Sequence, residues 1–281
     1  MDVYQILSGF VVGLLIGLTG VGGGSLMTPI LLIFFGKPAA IAVGTDLLYA
    51  AITKSAGILA HGKLGNIDWR IVSLLALGSV PASIITTAYL SDMDVFSNNA
   101  VIKIQFWLGI ALMLTSVSVI FRNQLAQLSK NGRWVKPELA APLTLLLGIT
   151  LGFLVTLTSV GAGALGVTAL LILYPKLSIS KIIGTDVAHA VPLTLVAGLG
   201  HVSLGTVDYS LLGTLLIGSI PGIWLGSHLS ANVAEHLLCL LLALILVYVG
   251  QRLAFPQANI LIGIGLLLLT ILLKQINLRK A

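Results

Sequence analysis

The sequence predicts an all-α, polytopic membrane protein of two inverted repeats, and three observations carry that prediction. Only 9% of the 281 residues are charged and 57% are hydrophobic, with a mean hydropathy of +1.09. A soluble domain averages about 25% charged residues, so this surface does not face water. The apolar runs are roughly 20 residues long and lack the alternation of a lipid-facing barrel strand. The third observation is an internal duplication. "GTDLLYAAITKSAGILAHGKLGNIDW" (44–69) matches "GTDVAHAVPLTLVAGLGHVSLGTVDY" (184–209) at an offset of 140, ungapped through "LGSVP" (77–81) and "IGSIP" (217–221). "LTGVGGGSL" (18–26) pairs with "LTSVGAGAL" (157–165) at an offset of 139. Shared leucines mean little in membrane helices; shared Gly, Thr, Asp, His, Ser and Pro in order mean duplication.

Apolar segments fall at 4–19, 25–35, 39–60, 70–90, 100–121, 139–157, 164–174, 179–200, 208–229, 236–250 and 258–275. The long polar stretch "RNQLAQLSKNGRWVKPE" (122–138) divides them. The organisation is therefore a first repeat at 1–121, a basic cytoplasmic linker at 122–138 and a second repeat at 139–281. Lys and Arg concentrate in cytoplasmic loops. With the central loop inside, "SDMDVFSNN" (91–99) falls outside, Lys63 and Arg70 inside, and the Lys274–Arg279–Lys280 end inside. That puts the N-terminus outside and the C-terminus in the cytoplasm, leaves only Lys37 and Arg252 against the rule, and inverts the halves. The same bias accounts for the net charge of +6 without nucleic acid. No cleavable signal peptide is expected.

The trace closes only if each repeat opens with a glycine-broken helical hairpin, followed by three or more transmembrane helices. Segments 25–35 and 164–174 hold 11 residues each, about 16 Å of helix against a hydrocarbon core of roughly 30 Å. Non-helical backbone at that depth must be buried in protein or line a wet cavity. Paired broken segments in two inverted halves point to a transporter site. Helix N-termini bind anions through free amides and partial positive charge. The substrate-binding candidates are thus Thr19, Gly22, Gly23, Gly24 and Ser25 in the first half, with Thr158, Ser159, Gly161 and Gly163 in the second. Close helix packing by small residues is the competing explanation for the glycines.

Lys54 lies deep in its segment, where Thr194 occupies the matching position. It would attract an anion, pair with an acid such as Asp46, or snorkel to the interface. Asp46 and Asp186, in the duplicated "GTD" triplets, would either cap a helix restart after Gly44 and Gly184 or carry a coupling H⁺ or Na⁺. His189, a turn beyond Asp186, is a proton relay or a structural hydrogen-bonding group. His61, His201, Asp68 and Asp208 are expected to shape loops. Pro81, Pro192 and Pro221 are expected to kink helices, freeing carbonyls to line a path. Trp69, Trp107, Trp134 and Trp224 would form an aromatic belt. Cys239, the single cysteine, is expected to be a small hydrophobe. No zinc pattern, phosphate loop or catalytic triad is present, so no metal, no cofactor and no enzyme are expected.

These residues resemble the TauE/SafE permeases, the sulfite exporter and toluene-sulfonate-uptake family. The likeness rests on "GLTGVGGGSLMTPIL", "GTD" followed by "GNIDW", "SVGAGALGV", "IGTDVAHAVPL" and "GSIPGIWLGSHL", and extends from about residue 17 to 229. It implies a multi-pass protein of a cell membrane (a bacterial inner membrane) that moves sulfite, sulfonates, sulfoacetate or related anions. The resulting expectation is a secondary transporter holding a small anion at mid-membrane between half-helix N-termini. An anion channel and a membrane-embedded enzyme or assembly factor are the alternatives. The expected partners are the small anion, the lipid bilayer and, as an option, further copies of the chain in a homo-oligomer.

Overall fold

A computed structural model describes residues 3–19, 24–63, 65–131, 135–229 and 235–258. These residues form α1 (Val3–Thr19), α2 (Gly24–Ile33), α3 (Ala39–Lys63), α4 (Trp69–Ser91) and α5 (Asn98–Asn131). The second half continues with α6 (Pro137–Thr158), α7 (Ala164–Leu173), α8 (Ile179–Ser203), α9 (Tyr209–Leu229) and α10 (Glu235–Ala254). The described residues contain no strand. Five helices have membrane-spanning stretches long and apolar enough to cross: Trp69–Ser91, Asn98–Arg122, Glu138–Thr158, Ile179–Ser203 and Tyr209–Gly226. Both α2 and α7 are ten residues long, about 15 Å, too short to cross alone.

The packing pairs each half with the other. Along α1 and α9 the contacts ascend together: Gly218, Gly222 and Gly226 abut the carbonyls of Ile6, Phe10 and Leu14. Gly9 and Gly13 answer against Leu215 and Ser219. The same parallel unit recurs between α4 and α6, where Gly148 and Gly152 abut Leu75 and Ser79 and Gly78 abuts Leu145. Lipid tails supply no hydrophobic drive between helices, so close backbone approach through small residues holds them together. A side chain at any of these glycines would overlap backbone.

The repeat-related α3 and α8 run antiparallel. Lys37, just before α3, pairs with Asp208, just after α8, at 2.9 Å. At the other end Asp68 N–H donates to Thr185 Oγ1 near the start of α8, at 2.9 Å. Its repeat counterpart, Asp208 N–H to Thr45 Oγ1, measures 3.0 Å. The related α5 and α10 are also antiparallel: Gly109 meets Gly250, and Ser116 Oγ donates to the Ala243 carbonyl at 3.0 Å. Asp68 and Asp208 cap α4 and α9, accepting from Ile71 and Leu211 N–H respectively. His201 bridges Thr206 Oγ1 at 2.8 Å and the Thr156 carbonyl at 3.0 Å. Loop-shaping is thus what Asp68, Asp208 and His201 do.

Two sequence expectations change, and others fall outside the described residues. The stretch 122–138, read as a linker, is helical as far as Asn131, because α5 continues through it. Its Gln, Leu, Ala and Lys residues are good helix formers even where their polarity looks loop-like. Pro81 and Pro221 lie within continuous helices and face outward, so their freed carbonyls do not line an internal path; Pro192 is half-buried. The segment at 258–275, apart from its first residue, lies outside the described residues, as do Trp134 and the side chain of His61.

Candidate functional site

The second break has a definite shape. Ser159 ends α6 in a left-handed conformation (φ 59°), and Gly161 and Gly163 follow at φ 125° and 119°. Glycine tolerates that region where other residues are strained, which lets the chain reverse within five residues. Thr158 spends its hydroxyl locally, donating to the Leu154 carbonyl at 2.6 Å and accepting from Val160 N–H at 3.1 Å. It is not turned toward a ligand.

The end of α7 faces an acid that the chain itself supplies. Gly163 N–H is directed at the Asp186 carboxylate, and a side chain at Gly166 would overlap Asp186 Oδ1. In the first half, Asp46 Oδ2 accepts from Thr28 Oγ1 at 2.5 Å and from Thr28 N–H at 3.2 Å. Both aspartates are buried inside their helices, one to two turns past the N-terminus. Neither caps a helix restart, because α3 and α8 run unbroken through Gly44 and Gly184. Capping needs a side chain beside a helix's first free amides, and here the capping roles go to Asp68, Ser178 and Asp208.

Lys54 does not snorkel. Its side chain is buried, and Nζ donates to the Ala162 carbonyl in the break at 3.2 Å. Asp186 and Asp46 both act on it electrostatically, Asp186 the more strongly. Neither carboxylate reaches ion-pairing distance among the described residues. Lys54 and Asp186 share a small cavity with Arg122, Ser118, Gly163 and Cys239. Its volume of about 20 Å³ accommodates roughly one water molecule.

Around this centre the repeat writes two related sets. His189 Nε2 and Ser79 Oγ share a hydrogen bond of 2.8 Å. At the positions 140 away, Tyr49 OH faces Ser219. Buried polar atoms without a hydrogen-bond partner gather in the same region: Asp46 Oδ1, Asp186 Oδ1, Ser159 Oγ, His189 Nδ1 and Tyr49 OH. Ser159 Oγ faces Asp46 across the two halves, yet neither atom closes a bond. Native interiors rarely leave such groups unpaired. Several of them together make this buried region the candidate site.

Two unequal half-sites of this kind, meeting at one buried lysine, invite comparison with known proteins. The family described as "Sulfite exporter TauE/SafE" matches residues 5–253. The chain belongs to the TauE/SafE family. The probable membrane transporter protein YjnA of Bacillus subtilis (strain 168) is 40% identical over 255 residues, covering 90% of this chain and all of the relative. YdhB of the same organism, also named a probable membrane transporter protein, is 27% identical and covers 79% of this chain and 87% of its own length. MJ0441 of Methanocaldococcus jannaschii, another probable membrane transporter protein, is 28% identical, over 87% and 92%. No solved structure matches. The chain is a multi-pass membrane transporter, not an enzyme.

In this TauE/SafE chain the structure brings together Lys54, Asp46, Asp186, His189, Ser159 and Gly163. Gly161 shapes the turn and gives its carbonyl to Gly166 N–H at 3.2 Å. Gly22 and Gly23 lie outside the described residues, and Thr19, Gly24 and Ser25 are placed only as helix backbone at the rims of α1 and α2. Sequence reasoning missed Thr28, Tyr49, Ser79, Ser219 and Arg122. Two of these pairs were legible: Tyr49 with His189, and Ser79 with Ser219, occupy matching positions of the duplication. Cys239, read as a hydrophobe, packs against the core and also lines the cavity.

Proposed function

We propose that this transporter is a secondary permease for a small sulfur-containing or organic anion, such as sulfite, a sulfonate or sulfoacetate. It works in a cell membrane (a bacterial inner membrane), with the N-terminus outside, the C-terminus inside and the halves inverted. The observation that carries the anion reading is the buried ammonium of Lys54 at the break, beside a cavity that Arg122 also lines. An intramembrane cation is costly to keep and marks a substrate or ion path. The antiparallel pairing of α3 with α8 and of α5 with α10 supports inversion. It is what a twofold axis in the membrane plane produces.

The relatives' names specify transport but no substrate; the family's description names sulfite export. The cavity's small size favours a carrier that closes around its cargo over a channel. Proteoliposome uptake with sulfite, thiosulfate, sulfoacetate, taurine and sulfate, under imposed pH and Na⁺ gradients, tests the reading. Saturable uptake of an anion, accelerated by the same anion inside, is the expected result. Lys54→Met should raise the KM for that anion at least about tenfold with folded protein still in the membrane, the scale of losing one charged hydrogen bond of about 1.5–3 kcal/mol. Unaltered kinetics would remove Lys54 from the path.

A further inference from the structure

The two carboxylates of the repeat are held in different ways. Asp46 has a dedicated neutral donor, since Thr28 gives it both a hydroxyl and an amide. In the second half the 18–26/157–165 pairing, offset by 139, sets Val167 opposite Thr28, with no side-chain donor, and the next residue, Thr168, shares its hydroxyl with Ser118 and not with Asp186. Asp186, buried to 1% exposure, keeps Oδ1 without a hydrogen bond. Its compensation comes from Gly163 N–H and from Lys54. Lys54 is at the same time the group that a substrate anion would seek. One ammonium therefore has two claimants.

We propose that Asp186 is a coupling-proton site, and that anion and proton are linked by competition for Lys54; this rests on the anion reading above. When an anion takes Lys54, the Asp186 carboxylate loses its compensating charge inside a low-dielectric core. A buried carboxylate in that position is relieved by neutralisation. One O–H bond forms on the carboxylate, no other bond changes, and the proton comes from water on the side where the anion enters. On the opposite side the anion leaves, the Lys54 charge again compensates Asp186, and the proton goes to water there. For a singly charged anion the site's net charge is the same before and after loading, so anion and proton cross together.

The groups that face Asp186 fit this assignment. From α3 come Lys54 and, beyond it, Asp46; from α5 comes Arg122 on the shared cavity. On α8 itself, His189 lies one turn along and is engaged with Ser79 of α4. The α6–α7 break contributes only the Gly163 amide, and α10 contributes the Cys239 thiol. Among these, Asp186 is the acid on the cavity beside Lys54. By reciprocity, a proton that raises anion affinity is itself bound more tightly with the anion present.

The purified full chain in detergent is titrated with methanesulfonate and 2-hydroxyethanesulfonate, sulfonate monoanions whose charge does not change near neutrality, in mildly acid and mildly alkaline buffer. Wild-type affinity should rise about fivefold or more in acid. A pH dye in weak buffer should report about one proton taken up per anion bound, the one-for-one balance that leaves the site's charge unchanged. Asp186→Asn should bind with an affinity independent of pH and take up no proton, whereas Asp94→Asn, on the exposed loop before α5, keeps the acid dependence and the proton uptake of wild type. Proton uptake by Asp186→Asn equal to wild type would overturn the assignment, as would anion binding by wild type without proton uptake. Should Asp186→Asn fail to fold, Asp186→Glu takes its place: it should keep the proton uptake but shift the pH at which anion affinity rises, and a profile identical to wild type would overturn the assignment. Sodium-dependent affinity with no proton uptake would overturn it in favour of Na⁺. No binding of any anion in the panel would sink the anion reading, and this inference with it.

Discussion

Thr28 and Val167 show how much a single position separates the two halves. The Thr28 hydroxyl is fully buried and donates to a fully buried carboxylate. Removing one partner of such a pair leaves the other desolvated and unsatisfied, at a cost of about 1–3 kcal/mol or more. Thr28→Val should therefore lower the melting temperature in detergent clearly, although the new side chain is almost the same size. Val167→Thr should not, and by offering Asp186 a hydroxyl it should weaken the acid dependence of anion affinity. A Thr28→Val protein as stable as wild type would mean that Asp46 is held some other way. At this scale the sequence was informative where chemistry was duplicated. Asp46 with Asp186 and the flanking "GTD" threonines stood out because the polar letters recur. Tyr49 did not stand out, because the duplication there sets one hydrogen-bonding ring opposite another, His189. What each side chain touches depends on helices far apart in the chain.

Helices in this molecule are joined along glycine seams, and the break in α6–α7 is a different use of the same residue. In α9, Gly222 abuts the Phe10 carbonyl of α1, while Gly213 of the same helix has open space around it. Gly222→Ala must push two backbones apart, an overpacking cost of about 1–3 kcal/mol. Gly213→Ala meets nothing and gains helix propensity. The expected result is a marked loss of monodisperse, heat-resistant protein for Gly222→Ala and none for Gly213→Ala, read by melting followed through size exclusion. Equal behaviour of the two variants would contradict the seam. The spacing of four in Gly9–Gly13, Gly148–Gly152 and Gly218–Gly222–Gly226 was open to reading from the sequence. The partner of each seam was not, since α1 pairs with α9 and α4 with α6 across the whole length of the chain. Segment edges were legible to within a few residues because hydropathy sets them. The exception was the end of α5, where a polar helix outside the apolar run carries no hydropathy signal.

For the whole molecule, the direction of each helix follows from the pairing of helix ends, and sidedness follows from charge. A cysteine-free background (Cys239→Ala) with single cysteines at Asp94 or Gly205 should be labelled from outside intact cells, and one at Asn131 should not. Gly205 is exposed whereas its neighbour Thr206 is fully buried against His201, and the strain of a cysteine at its φ of 68° is matched by that at Gly65, φ 66°. Labelling at Asn131 from outside would reverse the orientation.

Lys37, which the proposed orientation places outside against the positive-inside pattern, has a structural reason to be there. It fastens the start of α3 to Asp208 at the head of α9. The matching positions at the other end of the α3–α8 pair are Leu177 and Asp68, which cannot form an ion pair. One end of the central helix pair is therefore latched by charge and the other only by the Asp68–Thr185 hydrogen bond. The pair is partly exposed, so its contribution is about 0–1 kcal/mol. That is small for stability but enough to shift a two-state equilibrium up to about fivefold. The Asp208 carboxyl is held below the usual carboxylate range, first by the Leu211 amide and then by Lys37. A depressed carboxylate contributes fully above its unfolded pKa and loses that contribution as pH falls through the folded value. The latch is thus complete at neutral pH and opens only in strong acid, below the range where coupling at Asp186 is measured. Lys37→Met should raise the labelling rate of a cysteine at Gly205 up to about fivefold at neutral pH. High salt should do the same to wild type, because an exposed pair is screened. The rate at a cysteine in place of Gly65, the matching position on the inner end, should not rise. Equal acceleration at both ends would mean that losing the ion pair loosens the protein generally, and that the outer end carries no latch of its own.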